Sequence, residues 1–176
     1  MWSFERRLRV GAVLLLAGLS LAACNVRPLY APDAGAGSGE MTQILASIHV
    51  SEPDSRVEQV LRNALMFRLS GGGQGGDAYE LDLRTTSSAS SVLVRTIGGK
   101  PQARFVKVTT SYQLRRTGAD EVLDSGTISR ESSFDWSDQR FANERAQLDA
   151  ENRAATALAD DLHALLAGYF ASAARR

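Results

Sequence analysis

Tyr79-Glu80-Leu81-Asp82-Leu83-Arg84-Thr85-Thr86 sets apolar or β-branched residues against charged or polar ones at every second position. Strand side chains point to opposite faces in turn, so this stretch predicts a strand with one buried face and one wet face. Downstream, the serine-rich residues 87–91 predict a bulge, after which Val92, Val94 and Ile97 resume the apolar face. Gly98-Gly99-Lys100-Pro101 is a hairpin turn signal. From Arg104 a second strand places Val106, Val108, Thr110, Tyr112 and Leu114 on one face. Lys107, Thr109, Ser111 and Gln113 fall on the other. Thr117-Gly118-Ala119-Asp120 marks another turn, and residues 121–135 read as a third long strand with Gly126 at a bulge. Turns this short order the three strands as an antiparallel meander.

Upstream, Ile44, Ala46, Ile48 and Val50 share a period of two, which predicts a first strand over residues 44–50. Asp54 or Ser55 then caps a helix whose stripe is Val57, Val60, Leu61, Ala64 and Leu65, and which stops at Gly71. Residues 71–76 are nearly all glycine. A phosphate loop would need a Lys-Ser/Thr pair and a helix after them, so they are read as a flexible connector. Beyond the meander, Ser137 or Asp138 caps a long helix over residues 141–170. Its expected stripe is Phe141, Leu148, Ala155, Leu158, Leu162, Leu165 and Tyr169, with Asp149 and Arg153 paired at i,i+4 on the wetter side. The order β-α-β-β-β-α predicts an α+β two-layer sandwich. In it, a mostly antiparallel four-stranded sheet carries both helices on one face. The other face, with Glu80, Asp82, Arg84 and the polar residues of the next strand, is expected to stay polar and to offer itself or an edge to a partner.

The N-terminus has a different character. Arg6, Arg7 and Arg9 precede an uncharged, leucine-rich run of about 14 residues, short of the roughly 20 that a spanning helix needs. The run ends in Leu21-Ala22-Ala23-Cys24, which resembles a bacterial lipobox. Residues 1–23 are therefore read as a cleaved signal peptide and Cys24 as a lipidated first residue. Residues 24–40, rich in Pro, Ala and Gly, are read as the lipidated cysteine and a flexible tether. Residues 41–170 are read as a single domain and residues 171–176 as a frayed tail. Cys24 is the sole cysteine, so its lipidation leaves no thiol for a disulfide, a nucleophile or a metal. The whole chain balances 20 basic against 20 acidic residues. That balance lacks the basic excess of a nucleic-acid binder.

The chemistry-bearing residues are few. His49 and His163 lie in distant elements, and no Gly-x-Ser-x-Gly elbow accompanies them. Asp160 and Asp161 are helix neighbours that point to different faces. Trp136, at the junction of strand and helix, reads as a core or corner aromatic. No catalytic residue, metal site or cofactor is assigned. Arg95, Lys100 and Arg104 flank the glycine hairpin, and strand pairing would gather them at one end of the sheet as candidates for a phosphorylated amphiphile.

Cys24-Asn25-Val26-Arg27-Pro28-Leu29-Tyr30 resembles the Cys-Gly-Phe-Arg-Pro-Leu-Tyr opening of the lipopolysaccharide-assembly lipoprotein family (LptE), in its alphaproteobacterial form, with Asn-Val in place of Gly-Phe. The helix containing Phe141-Ala142-Asn143-Glu144-Arg145-Ala146-Gln147 and Leu158-Ala159-Asp160-Asp161-Leu162 is similar too, as is the element order. The resemblance implies a non-enzymatic outer-membrane lipoprotein on the periplasmic side. Such a protein plugs the β-barrel translocon LptD, helps it assemble, and takes part in lipopolysaccharide delivery. Asn25 after the cysteine, rather than Asp, fits outer-membrane sorting. Another outer-membrane lipoprotein scaffold, such as a barrel-assembly accessory, is the alternative expectation.

Overall fold

The alternation beginning at Tyr79 is a strand, and everything else is arranged around it. The computed structural model describes residues 36–71, 75–91 and 103–175. In chain order these form α1 (Ala36–Ala46), β1 (Ile48–Val50), α2 (Arg56–Ser70), β2 (Tyr79–Ser91), β3 (Ala103–Arg116), β4 (Val122–Asp135) and α3 (Arg140–Ala173). The strands lie in the order β1-β2-β3-β4. β1 runs parallel to β2, and the other pairings are antiparallel. Against one face pack α2, over β1 and β2, and α3, over β3 and β4; the helices also touch each other. The expected sandwich is thus present, with a third helix added. Residues from Gly39 onward make up one compact unit.

The core lies where the alternation put it. Leu81, Val106, Val108, Thr110 and Leu114 have no exposed surface, and Leu61, Leu65, Leu158 and Leu162 meet them from the helices with none either. Each such leucine contributes about 1.5–3 kcal/mol by leaving water. At one end of the sheet, Tyr79 meets Phe170 edge-on with ring centroids 4.9 Å apart.

Several local expectations are corrected. The first strand is shorter than residues 44–50, because Ile44 belongs to α1, which begins inside the expected 24–40 tether. Met41, Ile44 and Leu45 recur at helical spacing and pack on the core. The chain then turns at Ser47, whose hydroxyl donates to the Ile44 carbonyl (2.6 Å). No bulge occurs at residues 87–91, which pair one to one with β3. The irregularity of β3 and β4 falls between Leu114 and Arg115, not at Gly126. Gly126 lies opposite Tyr112, and a Cβ there would come 3.0 Å from the Tyr112 ring. Glycine at this position admits the ring, whose hydroxyl donates to Asp124 (3.1 Å). Burial, first, and then the neighbouring Asp124 carboxylate push the Tyr112 phenol above its ordinary pKa.

The glycine connector is also more than slack. A Cβ on Gly75 would sit 2.3 Å from the Ile48 carbonyl oxygen, so this residue is pressed against β1. Residues 72–74 lie outside the described residues.

α2 is capped by Ser55, whose hydroxyl accepts from the Glu58 N–H (3.2 Å), and it ends at Gly71 with φ 67°. α3 starts otherwise than expected. Gln139 holds the cap position without a side-chain bond. Ser137 instead donates its N–H to the Asn143 side chain (2.8 Å), which donates back to the Ser137 carbonyl (2.7 Å). Buried Asn143 therefore fixes the corner between β4 and α3. The stripe of α3 holds in its middle, where Ala155, Leu158 and Leu162 are buried, but Phe141 is 74% exposed and Leu165 42%, while Ala150, Ala154, Leu166 and Phe170, outside the expected stripe, are buried. Alanines alternate with leucines on the packed face and let the helix approach closely.

Candidate functional site

Three surfaces of the described residues stand out. The outer sheet face is the first. Asp82, Arg84, Ser111, Gln113, Arg115, Ser125 and Thr127 line a polar groove of about 820 Å³. Four of its charges form pairs: Arg84 with Asp54 (2.8 Å), and Arg115 with Asp82 (3.1 Å). Nearby Lys107 lies 3.6 Å from Glu131. Ser111 and Thr127 share a hydroxyl–hydroxyl bond (3.0 Å). This is the polar face that the alternation predicted.

The hairpin end is the second surface. Of the three candidate cations, Arg95 and Lys100 lie outside the described residues. Arg104 is at the start of β3, opposite Phe134 of β4. Its guanidinium carbon stands 3.2 Å from the centroid of the Trp136 ring, a cation–π stack. Trp136 is half-buried and lies 6.5 Å from the Phe134 ring. Trp136 is thus the corner aromatic that was expected, but with a cation on its face. The Arg104 Nε is buried and bonds to no described group.

The sheet edges are the third, and sequence reading did not resolve them. Beyond Val50, β1 gives out, and side chains take over the edge of β2. Ser51 Oγ accepts from the Leu83 N–H (3.3 Å). The buried Glu58 carboxylate accepts from the Thr85 N–H (2.7 Å) and from the Asp54 N–H (3.1 Å). Arg62 donates to the Val50 and Ser51 carbonyls (3.3 and 2.9 Å). The Ser-x-x-Glu spacing of a capping box hinted at Glu58, but its reach to β2 is a tertiary fact. Among the described residues β4, at the opposite edge, has no strand neighbour beyond β3. It is held to α3 by Arg130, which grips Asp161 with two bonds (2.5 and 2.6 Å), and by Arg153, which donates to the Ser133 carbonyl (2.7 Å).

His49 is exposed on β1. His163 lies on α3, where burial, and secondarily Arg68, hold its pKa below the ordinary histidine range against the opposing pull of Asp160. Asp160 pairs with Arg68, whose hydrogen bond lowers its pKa. Among the described residues no group of three His, Cys, Asp or Glu side chains could hold a metal ion. Nor is any described helix long and apolar enough to cross a membrane. Cys24 and residues 1–35 lie outside the described residues.

The comparisons with known proteins bear on the same span. A search of curated proteins returns no match. Among solved structures, a protein from Caulobacter crescentus CB15 described as a lipoprotein is 22% identical. The match covers 76% of this chain and 96% of that one, with a TM-score of 0.61. Rare lipoprotein B from Shewanella oneidensis is 14% identical, over 72% of this chain and 96% of that one, with a TM-score of 0.54. A minor lipoprotein from Acinetobacter baumannii is 14% identical, over 69% and 88%, with a TM-score of 0.50. At these identities the likeness is one of fold. The family model for lipopolysaccharide assembly, LptE, matches residues 45–166, from the end of α1 to the buried part of α3. On that match, and on a fold shared with those lipoproteins, the chain belongs to the LptE lipopolysaccharide-assembly family.

Proposed function

We propose that this chain is an outer-membrane lipoprotein, cleaved after residue 23 and anchored through acylated Cys24. In this reading it plugs the lipopolysaccharide-translocating β-barrel LptD, assists its assembly, and contributes to lipopolysaccharide delivery to the cell surface. The role is non-enzymatic. The observation that carries the reading is the family match over residues 45–166, which takes in nearly the whole compact unit.

Three features support it. The outer sheet face is covered with hydroxyls, amides and paired charges, a surface that rests in a wet lumen without desolvation cost. A di- or tri-acylated cysteine holds firmly, at about 0.8 kcal/mol per buried CH₂ with more than one chain inserted. The residues between Cys24 and α1, which begins at Ala36, would serve as the tether that lets the domain rise from the membrane surface into a barrel.

Lipopolysaccharide contact is assigned to the hairpin end, with Arg95, Lys100 and Arg104 as the cations. Arg104 is the described member, and its aromatic support at Trp136 suits the mixed charge and apolarity of a phosphorylated amphiphile. Replacing the three by neutral residues should weaken lipopolysaccharide binding by the full-length chain in detergent; unchanged binding removes the hairpin from consideration. The wider reading is tested by pulling a tagged chain from outer membranes. Recovery of the barrel, together with loss of surface lipopolysaccharide on depletion, is the expected result. Recovery of no barrel protein overturns it.

A further inference from the structure

The open edge of β4 can be assigned residue by residue. On β2, the N–H groups of Leu83 and Thr85 point away from β3, because Ser51 and Glu58 accept them. Backbone groups alternate sides along an antiparallel strand. Carrying that alternation through the pairs Leu83↔Tyr112 and Tyr112↔Gly126 makes the even-numbered residues of β4 the ones bonded to β3. The odd-numbered residues, Thr127, Ser129, Glu131 and Ser133, direct their N–H and C=O groups outward. The Arg153 bond to the Ser133 carbonyl agrees with this. Among the described residues nothing accepts from or donates to the outward groups of Thr127, Ser129 and Glu131.

Beside these groups runs a groove between β4 and α3, lined by Ile128, Ser129, Arg130, Asp161, Ala164 and Leu165. Its apolar wall is Ile128, Ala164 and the unexpectedly exposed Leu165; the Arg130–Asp161 pair forms its rim. Edges left for solvent are commonly blunted by free charged side chains, above all lysine, by proline or by bulges, or are covered. From Val122 to Asp135 β4 contains neither lysine nor proline, and its mid-strand charges are engaged, Arg130 with Asp161 and Glu131 with Lys107.

We propose that the Thr127–Glu131 edge of β4 receives an extended polypeptide segment by strand addition, with an apolar side chain of that segment seated against Leu165 and Ala164. The chemistry selects the occupant. Outward N–H and C=O groups repeating at every second residue are matched by another extended backbone, and a lipid headgroup or a glycan has no such repeat. The segment is assigned to the barrel polypeptide, which rests on the function proposed above.

The test places a photoreactive residue at Ser129, at Leu165 and, for comparison, at Gln113 on the outer face, in the full-length chain in its own outer membrane. The expected result is an adduct with the barrel from positions 129 and 165, mapped to an extended segment. Ser129→Pro removes one outward donor without touching the β3 ladder. Together with Leu165→Glu, each made with the probe at the other position, it should lower the adduct yield about tenfold. Circular dichroism of both variants checks that they fold, and two variants guard against the loss of either. Absence of barrel adducts at 129 and 165, while the tagged chain still co-purifies with the barrel, overturns the edge assignment and leaves the proposed function standing. Failure of the barrel to co-purify overturns the function. An adduct of two copies of this chain at 129, or capture of lipid or any other protein there, overturns the choice of occupant.

Discussion

The two edges of the sheet are closed in opposite ways. At the β1–β2 edge the chain supplies its own cover: a short parallel strand, then Ser51, then the buried Glu58 carboxylate, with Arg62 and Gly75 holding β1 in place. At the β4 edge the backbone is left bare for three outward residues, and the strand is fastened to α3 by exposed ion pairs. Buried polar groups must be satisfied within the fold, so the first edge is committed to stability. Exposed charge pairs contribute little, so the second is free to serve a partner. Mutations on the two edges should therefore differ sharply in what they damage.

The largest effect is expected at Glu58. Glu58→Ala removes the charged acceptor of two part-buried bonds, from the Thr85 and Asp54 N–H groups, and should cost about 2–4 kcal/mol. Urea unfolding should show it as a lower midpoint, and Glu58→Gln, which keeps one acceptor, should lose about half as much. Equal stability of Glu58→Ala and the parent chain would mean that the guarded edge is not guarded by this carboxylate. Next comes Gly75→Ala, whose methyl meets the Ile48 carbonyl. Displacing β1 backbone should cost about 1–3 kcal/mol, measurable in the same titration.

A smaller effect is expected from pH. The folded chain disfavours protonation of His163, so the unfolded chain takes up more protons as pH falls through the ordinary histidine range. This contribution to stability is present above that range and is lost on descent through it. The thermal midpoint should fall between about pH 7 and about pH 5.5, where carboxylates with ordinary or lowered pKa values stay ionised. His163→Gln should flatten the slope; an unchanged slope removes His163 as the cause. The smallest effect on folding is expected on the open edge itself. Arg130→Ala breaks only a solvent-screened pair with Asp161 and should barely move the urea midpoint, while altering the rim of the groove. A loss comparable to that of Glu58→Ala would erase the contrast between the edges.

Much of this contrast was hidden from the sequence. Period-two alternation in residues 79–86 and 106–114 identified the buried sheet face, and the helical period of 3.6 made the α2 stripe legible. The α3 stripe was right at Ala155, Leu158 and Leu162 and wrong at Phe141 and Leu165, which outweigh alanine on any hydrophobic reading, whereas close helix packing also selects Ala150, Ala154 and Ala159. Gly126 read as a bulge because glycine weakens a strand; only the pairing with Tyr112 reveals a place made for a ring. Ile44 and Ala46 fit a strand and a helix alike over so short a run. For the site, Arg104 was visible as a charge near a turn, but its stack on Trp136 joins residues far apart in the chain. The bare edge of β4 had no sequence signal, since which backbone groups face outward depends on register carried across three strands.

Hydrogen exchange resolved to single amides measures the contrast most directly. The full-length chain in detergent would be compared with the same chain co-purified with its barrel. The Thr85 amide, held by Glu58, should exchange slowly in both. The Ser129 and Glu131 amides should exchange freely in the chain alone and slow about tenfold or more in the complex. Unchanged exchange at Ser129 and Glu131, or a Thr85 amide as fast as theirs, would contradict the account of one edge closed from within and the other closed by a partner.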